Sequence, residues 1–203
     1  MIEFYALKGF FVAVHLVGVV IGAGSAYFGD YTFMGAMRSN VVTPERLARM
    51  GKVSRNVWIG VLIIVLSGVG LFLGDPTGYL ASDKFIAKMI IVAVVIINGA
   101  VLHFVHFKVL EQVVGEPLKT SLRYRKASFG MHISGGVSAV SWASAIVLGF
   151  FHSVPLSLSS LLGIYVLLLA LSIGGSLVVR SLFFRGKLPM MNSTLTQNFN
   201  GGN

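Results

Sequence analysis

The sequence predicts an all-α integral membrane protein, an up-down bundle of five transmembrane helices. Three observations predict it. Hydrophobic residues make up 55% of the chain and charged residues 11%, against roughly 25% charged in soluble domains. Mean hydropathy is +0.84. Apolar runs recur, each near the ~20 residues that cross a ~30 Å hydrocarbon core.

The spans read as 4–31, 57–73, 86–107, 129–151 and 158–179. The first begins Met1-Ile2-Glu3, has no basic residue before Lys8 and is interrupted by His15. It reads as a retained helix rather than a cleaved signal peptide. After it, Thr43-Pro44-Glu45 is an N-cap with proline at the first helical position, so the first loop is expected to be partly helical. Residues 74–78, Gly-Asp-Pro-Thr-Gly, read as a turn. The connection at 153–157, around Pro155, is short. Short connections make consecutive spans antiparallel neighbours. Residues 1–187 form one domain on this reading, and the Asn-, Thr- and Gly-rich 188–203 a polar, flexible tail.

Basic residues set the expected orientation. Arg38, Arg46, Arg49, Lys52 and Arg55 lie in or beside the first connection. Lys108, Lys119, Arg123, Arg125 and Lys126 lie in the third, and Arg180, Arg185 and Lys187 follow the fifth span. Only Lys8, Lys84 and Lys88 fall on the other side. The positive-inside rule then places the N-terminus outside and the C-terminus in the cytoplasm.

Composition excludes several chemistries. The net charge of +9 flanks apolar segments and forms no patch interleaved with aromatics, so nucleic acid is not an expected partner. There are no cysteines, which removes disulfides, iron–sulfur clusters and thioether-attached haem. No paired-carboxylate site, phosphate loop, zinc motif or nucleophile elbow is present. Seven acidic residues argue against a hard-cation cage. A b-type haem, held by side-chain nitrogen alone, remains open.

The residues that could hold one lie on helical stripes. From Lys88 the steps through Val92, Val95, Gly99, His103 and His106 are three or four residues long, a helical period. Polar groups in lipid should face protein or a cofactor. His15 precedes Gly18, Gly22 and Ala26 on one face of the first span, and His132 precedes Gly135, Gly136, Ala139 and Ala143 on the fourth. A flat macrocycle between helices needs this combination, a nitrogen for the iron and a strip free of side chains. Gly18 and Gly22 also form a GxxxG pair, which packs helices without any cofactor.

Depth pairs the histidines. His103 is five residues from Lys108 and His132 six from Lys126, so both sit roughly 8 Å from the inner edge. They are expected to clamp a haem, with His106 replacing His103, bonding a propionate or lying at the interface. His15 lies roughly 10 Å from the outer surface. Its candidate partners are Lys88 and His152, the latter about 30 Å of helix beyond His132. One haem or two are therefore expected. Asp30 is expected to pair with a cytoplasmic arginine, Asn98 to bond across helices, and Trp58 and Trp142 to pack or to form an interfacial belt.

The stretch from His15 to Arg38, Arg55-Asn56-Val57-Trp58, and Phe85-Ile86-Ala87-Lys88 leading to Asn98-Gly99 resembles small bacterial membrane proteins of uncharacterised and copper-resistance-D-like families. More distantly it is similar to the haem-containing membrane protoporphyrinogen oxidases. That resemblance implies His15 as haem ligand with Lys88 as its partner. Ser25 stands where an arginine would be expected, and His103, His106 and His132 are outside the pattern, so the oxidase activity itself is not carried over. The expected function is electron transfer through b-type haem to or from a quinone or a redox partner protein. The alternatives are a non-catalytic subunit of a larger complex, homo- or hetero-oligomeric, and a small transporter or metal-handling protein using Asp30, Lys88 and the histidines.

Overall fold

The computed structural model describes residues 2–151 and 154–185, with side chains from residue 7 onward. The chain is an all-α integral membrane protein. Five helices are long and apolar enough to cross a membrane, and no strand occurs among the described residues. They are α1 (Ile2–Ser39), α2 (Pro44–Gly74), a span made of α4 (Asp83–Val101), a π-helical turn (Leu102–His106) and α5 (Phe107–Gln112), then α6 (Leu122–Phe150) and α7 (Leu158–Arg185). A short α3 (Pro76–Leu80) caps the second connection. Leu66, Ile97, Val147 and Leu171 are each more than half exposed, as side chains facing lipid should be.

The helices outrun the apolar runs because hydrogen bonding, not hydropathy, ends them. α1 continues to Ser39 and stops in a Schellman motif. Asn40 takes φ 56°, its N–H reaches the Met37 carbonyl at 3.0 Å, and the Val41 N–H reaches Ala36 at 3.2 Å. Asparagine tolerates this left-handed position better than most residues. Thr43 then caps α2, accepting from the Arg46 N–H at 3.3 Å, with Pro44 at the first position. The helical part of the first loop is thus continuous with the second span. The predicted turn at 74–78 is instead the start of α3, capped by Asp75, whose carboxylate accepts from the Gly78 N–H at 3.0 Å.

Two groups of helices result. In the first, α1 and α2 run antiparallel in one close register. The Phe11 ring fills the space at Gly70, Gly18 lies against Ile63 and Ile64, and Gly60 lies against the backbone of Gly18 and Gly22. In the second, α6 packs on α4 and α7. Ser172 Oγ donates to the Gly136 carbonyl at 3.0 Å, and Ser141 and Tyr165 share a hydrogen bond of 2.7 Å. The groups meet where Tyr27 donates to the Ala139 carbonyl at 3.1 Å. Ala23, Val61, Ile64, Val95 and Trp142 form the buried cluster there. A second cluster, around Val42, Leu118 and Tyr124, seals the basic end.

Candidate functional site

A cavity of about 600 Å³ lies between these two clusters, lined by α1, α2, α4, α5, α6 and α7. That is within the roughly 300–1,000 Å³ of small-molecule and cofactor sites. Met131 and Leu110 belong to the floor and Val95 and Trp142 to the roof.

His132 and His106 both line it, and both are buried, 5% and 8% exposed. His132 Nδ1 lies 2.7 Å from the Ser128 carbonyl, four residues back on α6. A carbonyl can only accept, so Nδ1 carries the proton and Nε2 holds a lone pair. That Nε2 is buried and has no hydrogen-bond partner. An unpaired buried nitrogen costs about 1–3 kcal/mol, so its survival asks for an explanation. Behind the same turn, Arg180 Nε donates to Ser128 Oγ at 2.8 Å, and its guanidinium lies over the Phe184 ring at 5.2 Å. Phe33 of α1 meets the His132 ring edge-on, centroids 5.8 Å apart.

His106 reaches α6 from the π-helical turn. Its Nε2 is 3.1 Å from Ser134 Oγ, and its Nδ1 is buried without a partner. Asn98 donates to the Ser134 carbonyl at 2.9 Å, as expected of an interhelical amide.

The structure divides the 88–106 stripe. A π turn is wider than an α turn, so residues three apart no longer share a face. His106 turns towards α6, whereas His103 turns towards α2, where Ser54 Oγ lies 2.8 Å from its Nδ1. The His103 ring also stacks on Phe107 at 6.3 Å. Thus His106, not His103, shares the cavity wall with His132. The expected His103–His132 clamp is not formed.

The small residues sort by the space beside them. Gly135 faces open space, and the nearest atom to a Cβ at Gly99 would be on Trp58 at 4.0 Å. Both line the cavity. Gly18 and Gly22 do not; Gly18 packs against Ile63 and Ile64 of α2, and the space at Gly22 is filled by the Trp142 ring of α6. Trp58, expected as packing or belt, is a wall of the cavity. Asp30 also lines it, and no ion pair to an arginine forms among the described residues.

His15 lies towards the opposite end of the bundle from the cavity, its Nδ1 3.0 Å from Ser67 Oγ. Ser67 donates to the Ile63 carbonyl at 2.6 Å, so this histidine is tied to α2. Lys88 lies beside Gly149 of α6, its Nζ 3.8 Å from where a Cβ there would be. The two are within electrostatic reach, but no hydrogen bond joins them. His152 and the 188–203 tail lie outside the described residues.

Among the described residues, no three His, Asp or Glu side chains gather closely enough to hold a metal ion. A bare ion takes three or four protein ligands; a haem iron needs one or two, because the macrocycle supplies the rest. No family model, curated protein or solved structure matches this chain.

Proposed function

We propose that the chain is a b-type haem-binding membrane protein that passes electrons to or from a quinone or a redox partner protein. One haem occupies the cavity, and His132 is its ligand from the protein. The observation that carries this reading is the free Nε2 of His132, fixed in one tautomer by the Ser128 carbonyl. The same second-shell device orients metal-bound histidines and raises their basicity.

The surrounding residues fit the group. Gly99 and Gly135 leave the walls open where a flat ring would lie. Arg180 holds the Ser128 side chain from behind the His132 turn and so steadies the helix that carries the ligand. Asp30, on the cavity wall, would put a carboxyl group beside a bound haem. His106 Nδ1, more hindered than an Nε2, serves as a hydrogen-bonding group rather than as the iron ligand. Val57, Trp58 and Val95 give the cavity apolar walls. The haem, when bound, supplies a one-electron couple whose potential these neighbours tune. The resemblance-derived pair of His15 and Lys88 is not used, and a second haem is not part of the proposal. Twelve of the fifteen basic residues among the described residues lie at the end nearer the cavity, which the positive-inside rule assigns to the cytoplasm; the resemblance to small bacterial membrane proteins suggests a bacterial inner membrane.

Haemin titrated into the purified protein tests this. Wild type should bind one per chain with a red-shifted Soret band. Gly135→Leu should bind at least tenfold more weakly, because Gly135 lines the cavity and an added Cβ there meets no protein atom within 4 Å. Equal binding by the two proteins, or no Soret shift in either, would overturn the proposal.

A further inference from the structure

A second recess lies on the outside of the α1–α2 pair, about 430 Å³ in volume and separate from the cavity except for Val53, which touches both. Its walls grade from charged to apolar. On α2, Arg49, Lys52 and Asn56 follow one another at helical spacing, all exposed. On α1, Val20, Ile21, Gly24 and Phe28 form the apolar side. A Cβ at Gly24 would meet nothing within 4 Å, so the helix leaves a slot there. No acidic side chain lines the recess. Arg49 Nε reaches the Glu45 carbonyl at 3.4 Å, which leaves its terminal nitrogens for another acceptor.

The direction of the gradient matters. α2 enters the bilayer from its Pro44 end, so Arg49 is the shallowest of the three polar residues. Asn56 lies roughly 10 Å deeper. On the antiparallel α1, Phe28 is shallow and Val20 is roughly 12 Å deeper. Two cations at headgroup depth, an amide below them and an apolar slot below that match the three zones of a phospholipid: phosphate, ester and acyl chain. Neutral lipid would gain little from the two cations, whereas an anionic headgroup gains from both, even with the Glu45 carboxylate within electrostatic reach of Arg49.

We propose that this recess holds one anionic phospholipid, its phosphate between Arg49 and Lys52, its ester region at Asn56 and an acyl chain along Gly24. The site is independent of the haem cavity.

Native mass spectrometry of the full chain, extracted from mixed phosphatidylcholine–phosphatidylglycerol vesicles in mild detergent, tests it. Wild type should retain one phosphatidylglycerol. Arg49→Gln with Lys52→Gln should weaken retention about 30-fold, at roughly fivefold per cation. Gly24→Leu, which keeps the charges and fills the slot, should also lose the lipid. Arg123→Gln with Lys126→Gln, an equal charge change outside the recess, should keep it, and inorganic phosphate should not displace it. Equal loss in the Arg123/Lys126 variant, equal retention of both lipids, retention by Gly24→Leu, or displacement by phosphate would each overturn the assignment.

Discussion

Replacing His132 by alanine is expected to abolish haem binding, with affinity falling more than 100-fold. Loss of a supporting second-shell contact alone costs roughly 10–100-fold in metal affinity, and this variant removes the ligand itself. The fold should survive. The imidazole makes one hydrogen bond, to its own helix, and the carbonyl it leaves, on Ser128, is of a kind that helices satisfy internally. His103→Ala is the matched control. It removes an imidazole at similar depth that is bonded to Ser54 and does not line the cavity. Haem titrations of both variants, with circular dichroism to confirm helix content, separate a ligand from a packed histidine. Equal losses in the two would place the ligand elsewhere.

Gly60→Leu is expected to destabilise the chain by ~3 kcal/mol or more, beyond the usual range for overpacking. The added Cβ meets the Gly22 backbone and the Gly18 carbonyl. Helix backbone cannot rotate aside as a side chain can, so α1 and α2 must separate along their length. Their register also seats Phe11 at Gly70 and His15 at Ser67, so one clash disturbs several contacts. Gly24→Leu, with the same change of residue and an open position, should stay within about 1 kcal/mol of wild type. Thermal unfolding in detergent compares them; equal stability would show that the close register is not needed.

The fold was legible because lipid imposes a coarse rule that hydropathy reads directly. The helix ends were less so. The first apolar run stops near Tyr31, but α1 ends eight residues later, where Asn40 can turn left-handed. The cavity was partly legible. His132, Gly99 and Gly135 were identified by a histidine with small residues on its face, and all three line it. The same pattern also marks Gly18 and Gly22, which lie outside the cavity, because a strip of glycines makes room for protein side chains such as Ile63, Ile64 and Trp142 as well as for a macrocycle. α-Helical geometry favours His103 over His106, and no local residue signal marks the π turn that brings His106 to the cavity wall. Asp30 was expected at an arginine because basic residues are plentiful nearby. It is instead on the cavity wall. The serines missed by the sequence reading are the clearest loss. Ser128, Ser134, Ser138 and Ser141 are all buried on α6, and their spacing on one helix could have marked a polar seam. Two of them hold the histidines.

The most direct measurement is the haem content of the protein as isolated from membranes, by pyridine haemochrome, against protein concentration. A ratio near one per chain, with a b-type reduced spectrum, is the predicted result. A ratio near zero from haem-replete cells would contradict the account.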